Sequence, residues 1–119
     1  MTTQDESLLH ILEIGHETSL RGSGWSLREA LARTRYRELR PQFGPADLLP
    51  IIARQPSFIE QWVLYSEDKR TSGGWYLLEN GEIGRVGDPK ARVQYGSQEE
   101  AVAEYVVREL DYWVGAGAG

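Results

Sequence analysis

Hydrophobic and polar positions follow one period in the first half of the chain and another in the second. Before Pro56, apolar residues recur three and four positions apart, which is typical of helices packed on one side. From Phe58 onward, short runs of Ile, Trp, Val and Tyr are broken by glycine-containing turns, which is typical of strands. Helical spacing returns after Ser97. This order predicts an α+β fold with N-terminal helices, an antiparallel four-stranded β-meander and an amphipathic C-terminal helix packed on the sheet.

Four helices are predicted from this pattern and from the residues that cap helix N-termini. Their ranges are residues 4–14, 27–34, 48–54 and 98–113. Thr3, Ser26 and Ser97 each stand three residues before a glutamate, the spacing of a capping box, and Asp47 is an N-cap of the third helix. Gly15 is predicted to end the first helix, since glycine commonly follows a helix C-terminus.

Four strands are predicted between the third helix and the last. Their ranges are residues 58–66, 75–78, 82–86 and 92–95. The first two flank a charged loop that closes on Gly73-Gly74, Asn80-Gly81 has the composition of a two-residue hairpin turn, and Gly87-Asp88-Pro89 marks the next break. Because successive side chains point to opposite faces, Trp75 and Tyr76 give both faces of the sheet an aromatic residue. The last helix can cover only one of those faces.

The last predicted helix divides clearly into two sides. Steps of 100° per residue bring Val102, Val106 and Leu110 into one apolar sector, and most of the charged residues fall on the other side. Tyr105 and Tyr112 stand one above the other at the edge of the apolar sector. We expect the apolar sector to cover the sheet.

Length and charge narrow the class of partner. A chain of 119 residues predicts a single domain, over residues 1–114, followed by a flexible tail over residues 115–119. The formal net charge is −5, and the acidic excess lies from residue 56 onward, where six basic residues accompany eleven acidic ones. Nucleic acid is disfavoured as a partner because phosphates need a basic surface. A basic protein is favoured, since opposite charges speed encounter and select partners.

Residue types that carry chemistry are sparse. The chain has no cysteine, which excludes disulfides, thiolate metal sites and cysteine nucleophiles. His10 and His16 are its two histidines, and two alone do not make a metal site. No catalytic residue, metal or cofactor is predicted. Since the sequence shows neither the pattern of a signal peptide nor an apolar run of membrane-spanning length, we expect a cytoplasmic protein that does not enter a membrane.

The predicted contact surface lies on the charged loop of the first hairpin and beside it. Its residues are Glu67, Asp68, Lys69, Arg70, Trp75, Tyr76, Tyr105 and Tyr112. Tryptophan, tyrosine and arginine are enriched at the hot spots of protein interfaces. Two other interpretations of the loop stay open. One is a solvated loop whose charges compensate each other. The other is an enzymatic loop in which a carboxylate is the general base and a cationic side chain holds an anion.

Two further segments have alternative interpretations. The five arginines between Arg28 and Arg40 could contact phosphates, but pairing with the acidic second half of the chain is favoured. The loop Gly22-Ser23-Gly24 could cradle an anion at the following helix N-terminus. It lacks the lysine and the length of a P-loop, so a flexible turn is favoured.

One stretch carries a resemblance to known proteins. The string from Trp62 to Leu78, followed by Val93-Gln94-Tyr95-Gly96-Ser97-Gln98-Glu99-Glu100-Ala101, resembles small bacterial proteins of immunity or uncharacterised type. In those proteins a Trp/Tyr-rich meander leads through a strand and a Ser-x-x-Glu-Ala step into a terminal helix. The resemblance covers residues 58–113, and its motifs are structural, so it assigns no site residue. It implies a protein that binds and blocks a toxin encoded beside it.

The resulting expectation is a non-enzymatic, immunity-like inhibitor of bacterial or phage origin that binds a basic partner. A phage inhibitor of a host defence complex is an alternative in the same class. A second class is a small enzyme or ligand-binding domain with a pocket between the N-terminal helices and the sheet, for which His16, Arg21 and Glu67 are the first candidates. A third class is a homo-oligomeric regulatory subunit, for example a homodimer. In it, the uncovered face of the sheet is buried by a second copy of the chain.

Overall fold

The structure of the protein, a computed structural model, describes residues 3–18, 26–68 and 74–115. In these ranges the chain forms six α-helices, a short 3-10 helix over Arg40–Gln42 and a three-stranded antiparallel sheet. The helices are α1 (Thr3–Glu17), α2 (Leu27–Thr34), α3 (Tyr36–Leu39), α4 (Pro45–Arg54), α5 (Ser57–Asp68) and α6 (Gln98–Gly115). The strands are β1 (Trp75–Leu77), β2 (Glu82–Arg85) and β3 (Asp88–Gln94). The predicted α+β class is therefore confirmed, whereas the prediction of four strands is wrong for the described residues.

The predicted first strand, residues 58–66, lies in α5. Phe58, Trp62 and Tyr65 stand four and three positions apart and are all buried on one side of this helix. The spacing puts three large rings into the core, and this packing outweighs the intrinsic preference of such residues for strands. The predicted first hairpin is thus a helix followed by β1, and residues 69–73 of its loop lie outside the described residues.

Helix α1 continues three residues beyond its predicted end, so Gly15 lies inside the helix and does not end it. A Cβ atom on Gly15 would stand 2.8 Å from the Cδ2 and Cε2 atoms of Trp62. Glycine is needed here for the close approach of α1 and α5, not for helix termination. The Nε1–H group of Trp62 donates to the Leu12 carbonyl at 2.9 Å, which fixes the indole against α1.

The second predicted helix is confirmed with the same bounds. Ser26 Oγ accepts from the Glu29 amide at 3.1 Å, and the Glu29 carboxylate accepts from the Ser26 amide at 3.0 Å, which completes the capping box. The third predicted helix, α4, starts three residues earlier than expected, at Pro45. Gly44 is its N-cap, and Asp47 instead accepts a hydrogen bond from the Gly44 amide at 2.8 Å. Proline starts the helix because its fixed φ suits the first helical position.

The strands form an antiparallel meander in the order β1-β2-β3. A turn joins β1 and β2 at the predicted place, but it is not a two-residue turn on Asn80-Gly81, because four residues, 78–81, separate the strands and the Gly81 amide donates to the Leu78 carbonyl at 3.1 Å. Gly81 has a φ of 91°, a conformation that favours glycine. The predicted break over residues 87–89 is narrower in the structure, where the turn is Val86-Gly87 and β3 already contains Pro89. Proline is tolerated at this position because β3 is an edge strand. The last predicted strand is therefore the second half of β3.

Helices α5 and α6 pack on one face of the sheet. Leu77 and Ile83 point from that face into the core, and the α6 residues of the predicted apolar sector are buried with them, except Trp113, which is half-buried. The buried ones are Val102, Ala103, Val106, Val107 and Leu110. The opposite face carries Tyr76, Arg92 and Gln94, which are half-buried or exposed. The open face of the sheet is therefore the one with Tyr76.

Side chains from α5 and α6 close the free edge of β1. The Trp75 amide donates to the Glu109 carboxylate at 2.8 Å, and the Leu77 amide donates to Ser66 Oγ at 2.8 Å. The Tyr105 hydroxyl donates to the Trp75 carbonyl at 3.0 Å. Because unpaired strand edges are templates for further strands, these three bonds end the sheet at β1.

Candidate functional site

The described residues of the predicted contact surface do not form one surface. Glu67 is exposed on the last turn of α5. Tyr76 lies on the open face of the sheet, where its ring covers Gly84 and its hydroxyl donates to the Glu82 carboxylate at 2.7 Å. This hydrogen bond, more than burial, raises the pKa of Tyr76. Trp75 points to the other face, toward α6.

Tyr105 is a core residue, so its prediction as a contact residue is wrong. Its side chain is fully buried, because its row of α6 faces β1. Its ring packs edge-on against Trp62 and Tyr65 at centroid distances of 6.1 and 6.4 Å. Burial raises the pKa of the Tyr105 hydroxyl well above its usual value. The side chains of three further predicted contact residues lie outside the described part of the chain, namely Asp68, Lys69 and Arg70.

A groove of about 380 Å³ runs along the outer side of α5. One wall is a face of α5, and the other comes from the β1–β2 turn and the first residue of α6. We call this feature the acidic groove. Its apolar floor and acidic rim are formed mainly by Ile59, Val63, Leu64, Glu60, Glu67 and Glu79.

Three carboxylates surround the apolar floor of the acidic groove. Glu60 and Glu67 stand seven residues apart on α5, which places them about 10.5 Å apart along the helix axis. Glu79 faces them from the β1–β2 turn, and a hydrogen bond of 2.7 Å from Gln98 Nε2 to the Glu79 carbonyl holds that turn against α6. All three side chains are exposed, and none forms an ion pair with another described residue.

This arrangement suits the recognition of a group that is both apolar and positively charged. An apolar side chain can be buried on the floor while a lysine or arginine reaches the carboxylates on the rim. Sequence analysis identified Glu67 but missed Glu60 and Glu79. The interpretation of residues 58–66 as a strand hid the two-turn spacing between Glu60 and Glu67, and Glu79 joins them only through the fold.

A second polar feature lies at the other end of β1. The Trp75 ring centroid is 5.0 Å from the Arg108 guanidinium and 5.7 Å from that of Arg85. The Arg85 guanidinium also lies 4.9 Å from the centroid of Tyr112. We call Trp75, Arg85 and Tyr112 the aromatic–arginine patch. It unites two predicted contact residues, Trp75 and Tyr112, with an arginine that sequence analysis did not single out.

The basic stretch pairs with the acidic half of the chain at Arg40, as predicted. Arg40 Nε lies 2.9 Å from the Asp111 carboxylate of α6, and the Tyr36 hydroxyl donates to the same carboxylate at 2.8 Å. Burial above all, and then Asp111, raises the pKa of Tyr36. Arg35 instead pairs locally with Glu38 at 2.7 Å. The ion pair between Arg40 and Asp111 therefore links the segment that follows α2 to α6.

Two of the residues suggested for an enzymatic pocket, His16 and Glu67, do not line a common cleft. His16 is exposed on α1 and does not line the acidic groove that contains Glu67, and Arg21 lies outside the described residues. His10 lines a different cleft, of about 260 Å³, between α1 and α2. Within residues 3–18, 26–68 and 74–115, no three His, Asp or Glu side chains converge as metal ligands do.

Comparison of the chain with family models, with curated proteins and with solved structures gives no match. The resemblance of residues 58–113 to immunity-type proteins therefore stays a prediction. Among the helices of the described residues, none is long and apolar enough to cross a membrane.

Proposed function

We propose that this protein is a non-enzymatic binding protein of bacterial or phage type. It holds a basic segment of a partner protein in the acidic groove and blocks that partner in the manner of an immunity protein. The observation that supports the proposal is the presence, in one groove, of an apolar floor and three exposed carboxylates. Glu60, Glu67 and Glu79 are the residues that would meet the positive charges of the partner.

The two parts of the groove contribute differently to binding. Burying one leucine-sized side chain on the floor stabilises a complex by about 1.5–3 kcal/mol. An exposed ion pair contributes only about 0.2–1 kcal/mol. The floor therefore supplies much of the affinity, whereas the carboxylates orient the partner, exclude acidic competitors and speed association.

The charge of the whole chain supports the same class of partner. The net charge is −5, and its acidic excess lies in the half of the chain that contains the groove. Such a field attracts a basic protein over a distance set by the ionic strength, so association should slow as salt is added.

The proposal is tested with a basic amphipathic peptide of leucine and lysine as the probe. In the groove variant, Glu60→Gln, Glu67→Gln and Glu79→Gln are combined, which removes the charges and keeps the side-chain shapes. Three lost ion pairs amount to about 0.6–3 kcal/mol, so the dissociation constant should rise roughly threefold to 150-fold. Fluorescence anisotropy of the labelled peptide measures this change.

A matched control removes the same number of charges elsewhere. The control variant combines Glu6→Gln, Glu13→Gln and Glu38→Gln, all on helices of the first half of the chain. The groove variant should lose much more affinity than the control variant. Equal losses would mean that the peptide responds only to net charge, and no loss in either variant would refute the groove as the binding site.

The proposed inhibition of the partner can also be tested in the cell. If the acidic groove holds the partner, the groove variant should accumulate to the level of the wild-type protein but fail to suppress the activity of the partner. Full suppression by a folded groove variant would contradict the inhibitory part of the proposal.

A further inference from the structure

Three arginines in the described part of the chain are half-buried, namely Arg40, Arg85 and Arg108. They differ in whether a carboxylate lies close enough to balance the positive charge. Arg40 lies 2.9 Å from the Asp111 carboxylate, and Arg108 lies 3.0 Å from the Glu104 carboxylate. Arg85 has no carboxylate at ion-pair distance among the described residues. Because partial removal of a charge from water costs free energy when no counter-charge is near, Arg85 is the exception that needs a further contact.

Two aromatic rings contact the Arg85 guanidinium without supplying an acceptor for its Nε–H group. Its guanidinium lies 5.7 Å from the Trp75 centroid and 4.9 Å from the Tyr112 centroid, distances at which a ring attracts a cation. Arg85 Nε is buried and has no hydrogen-bond partner within the residues that the structure describes. Native proteins leave few buried donors unpaired, so this guanidinium is rigidly placed but incompletely satisfied.

The acidic residues around this patch are engaged elsewhere, among them Glu109, whose buried carboxylate accepts from the Trp75 amide at 2.8 Å and from the side chains of Tyr65 and Trp113. Asp88 pairs with Arg85 across the β2–β3 turn in the sheet register, but its carboxylate accepts from the Lys90 amide at 3.1 Å. Glu104 accepts from Arg108 Nε at 3.0 Å. Among the residues that the structure describes, none balances the positive charge of Arg85 at ion-pair distance, which leaves this charge to pair with a group from outside the molecule.

We infer that the aromatic–arginine patch binds a carboxylate side chain, aspartate or glutamate, of a protein partner. A carboxylate can accept two parallel hydrogen bonds from the two terminal nitrogens of a guanidinium, and these are the donors that Arg85 would use, because its Nε is buried. Tryptophan, tyrosine and arginine are the residue types that dominate interface hot spots, and a pre-positioned arginine loses little side-chain entropy on binding. This inference stands on Arg85 and its two rings, and it does not depend on the acidic groove.

The surroundings favour one carboxylate over a polyanion. Glu104 and Asp88 lie beside the patch, and the chain as a whole carries a charge of −5. These negative charges repel the closely spaced phosphates of a nucleic acid more strongly than a single carboxylate.

The test uses the full-length protein and two blocked tripeptides, acetyl-Gly-Glu-Gly-amide and acetyl-Gly-Gln-Gly-amide, with inorganic phosphate as a third probe. We expect the glutamate peptide to shift the NMR signals of the Arg85 Nε–H group and the Trp75 indole N–H group in a saturable manner. The glutamine peptide, which has the same shape without the charge, should shift neither signal. Equal shifts with both peptides, no shift at Arg85, or tighter binding of phosphate would each overturn the inference.

Two variants and one control locate the binding group. Arg85→Ala should abolish the response to the glutamate peptide, and Arg85→Lys, which keeps the charge but not the planar fork, should weaken binding by at least about threefold. Arg92→Ala removes an exposed arginine from the open face of the sheet and should leave binding unchanged. Amide spectra show that each variant is folded. Full binding by a folded Arg85→Lys or Arg85→Ala variant would also overturn the inference.

Discussion

A single methyl group at Gly15 tests how α1 packs on α5. Helix propensity alone predicts that Gly15→Ala stabilises the protein by about 1 kcal/mol. In the structure, however, the new Cβ would stand 2.8 Å from Cδ2 and Cε2 of Trp62 and 3.2 Å from Cε3. Carbon atoms in contact normally lie about 3.5–4.0 Å apart, and overpacking of a core costs about 1–3 kcal/mol.

The surroundings of Trp62 decide which of these two effects is larger. The indole is fully buried, its Nε1–H group donates to the Leu12 carbonyl at 2.9 Å, and the rings of Tyr65 and Tyr105 lie 5.1 and 6.1 Å away. Since the ring cannot turn aside without losing these contacts, the upper part of the overpacking range applies. We expect Gly15→Ala to lower the free energy of unfolding by about 1–2 kcal/mol, or the melting temperature by roughly 4–10 °C.

Urea unfolding followed by far-UV circular dichroism measures this change. Gly115→Ala is the matched control, because nothing lies within 4 Å of a Cβ at that position and no loss is expected. A double-mutant cycle with Trp62→Phe identifies the clash, since the smaller ring leaves room for the methyl group and should reduce the loss by about 1 kcal/mol. A gain of about 1 kcal/mol from Gly15→Ala alone, the value of helix propensity, would refute the close contact.

Three further predictions concern the core, the edge of the sheet and the response to alkaline pH. Leu110→Ala should lower the free energy of unfolding by about 2–5 kcal/mol and Glu104→Ala by less than about 1 kcal/mol, and equal losses in urea unfolding would contradict the orientation of α6. Ser66→Ala leaves the Leu77 amide without its acceptor and should cost about 1–3 kcal/mol, with faster hydrogen exchange at that amide, whereas unchanged exchange would contradict the capped edge. Burial above all raises the pKa of Tyr65 above its ordinary value of 10.0, so its contribution to stability is fully present below about pH 10 and is lost as the pH rises further. Tyr65→Phe should make this alkaline loss less steep, and identical slopes of unfolding free energy against pH for both proteins would disprove the linkage.

Local signals in the sequence predicted part of the fold. The caps at Ser26 and Ser97 are satisfied within one helical turn, so their helices start where the sequence indicates. Helix α5 was missed because its composition favours a strand locally, and its buried stripe of Phe58, Trp62 and Tyr65 depends on contacts with other elements. The four- and three-residue spacing of those rings was the available signal.

The candidate sites depend even more on tertiary structure. The acidity of the second half was visible in the composition, but the acidic groove exists only because α5 and the β1–β2 turn meet. Glu109 is a fully buried carboxylate that accepts from the side chains of Tyr65 and Trp113 and from the Trp75 amide. Those three donors come from different elements, so no local pattern reveals that this glutamate lies inside.

The acidic groove is tested most directly by mapping where the leucine–lysine peptide binds on isotope-labelled protein by amide chemical shifts. The proposal predicts that the largest changes occur at Ile59, Val63, Glu67 and Glu79, that they saturate with one dissociation constant, and that added salt weakens them. Changes that spread over all acidic surfaces without saturating, or that centre on the open face of the sheet around Tyr76, would contradict it.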